Sequence, residues 1–232
     1  MSFLAVWRAK CHSASQRQLH KATTMKRRLS AIVAVDMVGY SRHIRDNEAG
    51  TLHAFQRFRS DVLAPNAKAY TGRIIKLLGD GALLEFASVV DAVRFAIATQ
   101  LATRAQDDED EASAYRIGIN IGDVVVDGDD IYGDGVNLAS RLEGLAEPGG
   151  ICISTNVVEQ IRAKLDLTID FLGERNVKNI PQPVPAYSIV LNDKAVAAVS
   201  DLASGPNAPE RWWRNWRIVA AASILIVLGI SW

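Results

Sequence analysis

The chain has 232 residues, with 26 basic and 26 acidic side chains and 49% apolar residues. The apolar share is ample for a buried core and too high for a disordered chain, and the length allows one good-sized domain with tails or two small ones. Zero net charge and a pI of about 6.9 argue against a dedicated nucleic-acid binder, and two cysteines, Cys11 and Cys152, with no CxxC pair, argue against a disulfide framework or a zinc site.

From Met1 to Val35 no acidic residue occurs, while Arg8, Lys10, Arg17, Lys21, Lys26, Arg27 and Arg28 are basic. An Arg/Ser-rich targeting peptide has such a composition. The plainer reading is an over-long gene start, because Met25 opens a run leading straight into the first strand. Residues 1–25 are read as a basic extension outside the fold. Ala31 to Val35 is a β-rich run ending at Asp36. Asn47 to Leu63 carries helical spacing (Leu52, Phe55, Phe58, Val62) and is expected to stop before Pro65. Arg73 to Leu78 and Ala82 to Phe86 are strands split by Gly79-Asp80-Gly81, a hairpin signal. Ser88, with Asp91 three residues on, caps a helix to about Ala105 whose apolar face is Val89, Val93, Ala96, Ile97 and Leu101.

The acidic stretch Asp107 to Glu111 reads as a solvated loop. Tyr115 to Ile121 and Val124 to Asp127 read as two strands, Val136 to Leu145 as a helix, Ile151 to Ser154 as a strand and Val157 to Leu165 as a helix. At least two more strands follow before Val190. This order fits an α+β fold with a ferredoxin-like βαββαβ core, helices on one face of the sheet, and extra C-terminal strands and a helix. Residues 193–211 are read as a linker. After them, Arg211-Trp-Trp-Arg-Asn-Trp-Arg217 leads into an uncharged, mostly apolar run, Ile218 to Trp232. As a helix that run spans about 22 Å, against roughly 30 Å of hydrocarbon core. Tryptophans ahead of apolar residues, with arginines on one flank, look like a membrane entry. Residues 212–232 are therefore the candidate membrane anchor of a cytoplasmic domain.

No GxxxxGK[ST], HExxH or GxSxG motif occurs, which leaves P-loop hydrolysis, zincin chemistry and the nucleophile elbow unsupported. Asp36 at a strand end and Asp80 at a hairpin tip stand beside glycines, which leave the backbone open to a phosphate. Two such carboxylates are oxygen ligands of the kind a pair of Mg²⁺ ions uses. Alone, each reads as a turn residue; the pair gains meaning from its neighbours.

Those neighbours are Asp36-Met-Val-Gly-Tyr40, Lys76-Leu-Leu-Gly-Asp80, Asp130-Ile-Tyr-Gly-Asp-Gly-Val-Asn137-Leu-Ala-Ser-Arg141-Leu-Glu and Val177-Lys178-Asn-Ile. Together they resemble the class III nucleotidyl cyclase catalytic domain, of bacterial type, over about residues 27–191. The cyclase domain is accordingly set at 26–192. The resemblance implies an adenylate cyclase that converts ATP to 3′,5′-cyclic AMP and pyrophosphate. It implies two Mg²⁺ or Mn²⁺ ions per site, on Asp36, Met37 and Asp80, and backbone N–H groups of Met37, Val38, Gly39 and Tyr40 around the phosphates. Asn137 would orient the ribose, Arg141 would stabilise charge on the α-phosphate, and Lys178 would meet the outer phosphates. Lys76 and Asp130 fall on the adenine-selecting positions: one donor and one acceptor complement adenine N1 and its 6-amino group. The family also implies a homodimer in which Asp36 and Asp80 of one copy face Lys76, Asp130, Asn137, Arg141 and Lys178 of the other. A diguanylate cyclase would need a Gly-Gly-Asp/Glu-Glu-Phe turn, where this hairpin reads Leu78-Gly79-Asp80-Gly81-Ala82. The remaining alternatives are a non-catalytic nucleotide-binding or dimerisation module of a membrane-linked signalling protein, and a purely structural dimerisation domain.

Overall fold

A computed structural model describes residues 26–105, 114–177 and 182–200. The basic extension, the acidic stretch 107–111, Lys178 and the candidate anchor 212–232 lie outside the described residues. Among the described residues no helix is long and apolar enough to cross a membrane.

The central strand β1 spans Lys26–Met37, well beyond the apolar run at 31–35. Its length comes from antiparallel partners on both sides: β3 (Gly81–Phe86) on one edge and β4 (Tyr115–Asp127) on the other. Side chains alternate across it with the two-residue period of a pleated strand. Ala31, Val33, Val35 and Met37 enter the main core with Leu84, Phe86, Ile117 and Ile119, beneath Phe58, Val62, Phe95 and Ile97 of the helical layer. Ile32 and Ala34 face the opposite side, with Leu83, Val124, Ile131 and Ala139. Ile32, Val33 and Leu84 are fully enclosed, each worth about 1.5–3 kcal/mol relative to exposure.

The eight-stranded sheet has the order β2-β3-β1-β4-β6-β8-β7, with β2 at Arg73–Leu78, β6 at Ile151–Ser154, β7 at Ile169–Arg175 and β8 at Val184–Ile189. A three-residue strand, β5 (Asp130–Tyr132), folds back on β4. Among the described residues only the β4–β6 pairing is parallel. The mixed α+β architecture is as expected, but the helices do not all lie on one face. Helix α5 (Asp134–Leu145) covers the side of the sheet opposite the others, burying Gly135, Ala139 and Leu142.

Four further expectations change. Residues 115–127 form one strand, not two, because Gly122 marks a close approach instead of a turn: a Cβ there would sit 2.9 Å from the Gly135 Cα. The helix from residue 48 does not stop at Pro65. After α1 (Tyr40–Asp46), α2 (Glu48–Arg57) leads into a π-helical segment, Phe58–Leu63, and then α3 (Ala64–Ala69). The Ala64 N–H reaches back to the Arg59 carbonyl, so the chain widens where Pro65 lacks a donor and needs room, and the helix continues. Helix α4 (Val89–Arg104) starts as read, the Ser88 hydroxyl accepting the Asp91 N–H at 3.3 Å. Helix α6 is shorter than expected, Thr155–Ile161. Residues 193–200, read as the start of a linker, form helix α7 (Asp193–Ser200), whose Ala195 and Val199 complete the main core.

Candidate active site

Two carboxylates meet at the end of β1. Asp36 lies in register between Gly81 of β3 and Arg116 of β4. The β2–β3 hairpin is tied to the strand end because the Met37 N–H donates to the Asp80 carbonyl at 3.1 Å. Gly81 is needed there, since a Cβ would stand 2.5 Å from the Val35 carbonyl oxygen and 3.2 Å from Asp36 Oδ1. Gly79, at φ 63°, turns the hairpin in the left-handed region. Burial first, and the Asp80 charge second, push Asp36 up to about 6 against the opposing pull of Arg116. Glu143 of α5 belongs to the same group: burial and then Asp36 raise it to about 7, again opposed by Arg116. The site therefore holds more negative charge than its one arginine offsets.

A divalent cation fits that excess. Among the described residues no group of three or more His, Cys, Asp or Glu side chains could hold a metal. Asp36 and Asp80 would thus share an ion with oxygens from a ligand, as Mg²⁺ sites with one or two carboxylates and substrate phosphates do. The Met37 side chain is enclosed in the core, so only its carbonyl could serve an ion. The expected phosphate cradle needs correction. The Met37 N–H is engaged by Asp80, and the Val38 N–H donates to the Ala114 carbonyl at 2.9 Å. Of the four named groups, the N–H donors of Gly39 and Tyr40 make no such backbone bond.

A second cluster forms where β2 meets the β4–β5 hairpin. Lys76 Nζ donates to both carboxylate oxygens of Asp130 at 2.9 Å, and the Ile131 N–H donates to Asp130 Oδ1 at 2.8 Å. The Lys76 hydrogen bond leads in holding Asp130 below the ordinary carboxylate range. Tyr132 places its ring 5.3 Å from the Lys76 ammonium, a cation–π contact. The structure thus brings together Lys76 and Asp130, 54 residues apart in the chain.

Asn137 and Arg141 both stand on α5. The helix sits so close to the sheet that a Cβ on Gly118 would come within 2.2 Å of the Ala139 carbonyl and the Glu143 nitrogen. Asn120 Nδ2 ties its first turn down by donating to the Gly135 carbonyl at 3.1 Å. At 3.6 residues per turn, Asn137 lies about 160° round from the sheet-facing Gly135 and Ala139, and Arg141 about 120–160°. Asn137 is exposed and Arg141 half-buried. Neither faces the sheet that carries Asp36 and Asp80.

Comparison with known proteins places the fold. The adenylate and guanylate cyclase catalytic domain family matches residues 76–190. A crystal structure titled adenylate/guanylate cyclase/hydrolase from Silicibacter pomeroyi is 40% identical, superposes with a TM-score of 0.68, and is covered over 100% of its chain by 73% of this one. The chain belongs to the adenylate/guanylate cyclase catalytic-domain family. A Rhizobium meliloti protein named "Putative adenylate cyclase 3" is 41% identical over 175 residues, 74% of this chain. The chain spans only 30% of that relative's length. The adenylyl cyclase CyaB from P. aeruginosa, 24% identical, shares the fold with a TM-score of 0.65 over 72% of this chain and 95% of its own. Two residues of this cyclase domain escaped the sequence reading. Arg116 carried no motif, and only the β1–β4 register sets it beside Asp36. Glu143 follows Arg141 by two residues and comes to the site because α5 rests on Gly118.

Proposed function

We propose that this domain cyclises ATP to 3′,5′-cyclic AMP with release of pyrophosphate, in a homodimer whose two sites each take residues from both copies. The observation that carries the reading is the orientation of α5. Asn137 and Arg141 lie on the side of α5 turned from the sheet that bears their own Asp36, which supports a site completed by a second chain.

In this reading Lys76 offers a donor to adenine N1 and Asp130 an acceptor to its amino group. Their mutual ion pair must open to admit the base, and the wrong base leaves buried polar groups unpaired. The name of the Rhizobium relative supports the same choice. Asn137 holds the ribose so that its 3′-oxygen lines up with the α-phosphorus. The new oxygen–phosphorus bond forms as the bond to the β-phosphate oxygen breaks, and Arg141 and Arg116 stabilise the charge that builds on the phosphates. Lys178, outside the described residues, is assigned to the outer phosphates. Mg²⁺ or Mn²⁺ ions on Asp36, Asp80 and the Met37 carbonyl would supply charge neutralisation and a more acidic 3′-hydroxyl.

The test is direct. The protein, given ATP and Mg²⁺ or Mn²⁺, should yield cyclic AMP and pyrophosphate by mass spectrometry, and Asp80→Ala should abolish both. Nucleotide binding without any cyclic product would favour the non-catalytic module instead.

A further inference from the structure

Outside the residues assigned above, the most elaborate polar cluster surrounds Glu85. This carboxylate is only 6% exposed and takes four hydrogen bonds. Arg28 Nε donates to Oε1 at 2.8 Å and Arg28 Nη2 to Oε2 at 2.6 Å; the Ser30 hydroxyl donates to Oε1 at 2.7 Å and Arg73 Nη2 to Oε2 at 2.9 Å. Burial alone would raise such a carboxylate, yet the bonds from Arg28, Ser30 and Arg73 bring it down to about 2. Two guanidiniums around one carboxylate leave an excess positive charge at the surface, and the spare nitrogens of Arg73 point toward the neighbouring hairpin.

The register of β2 shows where they go. Arg73 lies opposite Glu85 and Lys76 opposite Leu83, with a register shift between Ile74 and Lys76. Residues three apart on a regular strand face opposite sides of the sheet, so the extra residue is what puts Arg73 and Lys76 on the same one. From there Arg73 Nη1 donates to the Asp129 carbonyl at 3.4 Å, next to the residue Lys76 grips. The β5 strand beyond that turn has three residues, too few to hold a hairpin unaided. Ile131 anchors it from below by burial, and Arg73 from β2.

We propose that Arg73, locked by the buried Glu85, positions Asp130 against Lys76 and thereby sets the geometry in which this pair meets the base. This rests on the reading of Lys76 and Asp130 as the base-selecting pair. Arg73 and Glu85 are positioning residues and touch no substrate. A guanidinium suits the task because its planar fork serves two acceptors in fixed directions, whereas an ammonium is a single point of charge on a flexible stem.

The decisive comparison is Arg73→Lys against Arg28→Lys, by amide exchange of the intact protein and by kinetics with ATP and GTP. Both variants keep a cation beside Glu85, and Arg28→Lys, which gives up the two-bond fork, weakens the cluster at least as much as Arg73→Lys, but only the latter cuts the tether to Asp129. Exchange at Asp129 to Tyr132 should quicken about threefold to tenfold in Arg73→Lys, the worth of one hydrogen bond, and stay unchanged in Arg28→Lys. The preference for ATP over GTP should fall by a similar factor, through KM for ATP and not through kcat. Unchanged exchange in Arg73→Lys, or equal quickening in both variants, overturns the proposal. So does quickened exchange with the wild-type ATP preference intact. If exchange responds as expected but the wild type cyclises neither nucleotide, the tether stands and the cyclase reading falls.

Discussion

Removing the charge of Asp36 should stabilise the protein while destroying the site. Asp36 is raised from 3.8 to about 6 by burial and by Asp80. A carboxylate raised on folding binds its proton more tightly in the native state, so its contribution to stability is lost as pH climbs through the interval between those two values. The penalty is absent below about pH 4 and complete above roughly pH 7. Two pKa units correspond to about 3 kcal/mol, and the half-open surroundings of the group reduce this to about 1–2 kcal/mol. Asp36→Asn should therefore be about 1–2 kcal/mol more stable than wild type in urea at about pH 8 with divalent ions chelated, and equal to it near pH 4. Glu143, raised to about 7 with Asp36 as its second cause, should be lowered in the same variant. Saturating Mg²⁺ or Mn²⁺ should stabilise the wild type and leave Asp36→Asn unmoved. A variant less stable than wild type at alkaline pH without metal, or a difference that ignores pH, would refute the reasoning.

The other predictions concern packing and selectivity. Gly118→Ala places a methyl within 2.2 Å of backbone on α5, and neither side can yield. It should cost about 1–3 kcal/mol or more by urea unfolding and lower turnover with it, since α5 carries Asn137 and Arg141. Gly144→Ala, on the same helix with nothing within 4 Å of its Cβ, should instead gain up to about 1 kcal/mol. Replacing Lys76→Glu together with Asp130→Cys should move the ATP-to-GTP ratio of kcat/KM toward GTP by about tenfold or more. An unchanged ratio would remove both residues from the base pocket.

Local chemistry made much of this fold readable. The Gly79-Asp80-Gly81 hairpin and the Ser88 cap need only neighbouring residues, and both lie where the sequence put them. The break read between Ile121 and Val124, at Gly122, and the stop read before Pro65 were wrong because the meaning of both residues is tertiary. The first is small so that Gly135 can approach, and the second is accommodated by a widened helical turn just before it. Helix α7 was taken for linker because its short apolar face gains value only once Ala195 and Val199 meet the main core. Within the site, the motifs carrying Lys76 and Asp130 were visible in the sequence, and the structure pairs the two. The contribution of Arg116 depends on pairing strands far apart in the chain, and that of Arg73 on a register shift inside β2. Neither leaves a local trace. The backbone cradle was over-read because the N–H groups of Met37 and Val38 hold the hairpin and the Ala114 segment in place.

The claim beneath all of this is that one chain supplies the acids and its copy the outward face of α5, and mixing two dead variants examines it most simply. Asp80→Ala and Asn137→Ala, each inactive alone, should on mixing form heterodimers with one whole site. For random pairing of a two-fold dimer, activity should return to about a quarter of the wild-type value. A mixture that stays inactive, although both variants fold and exchange subunits, would contradict the composite site.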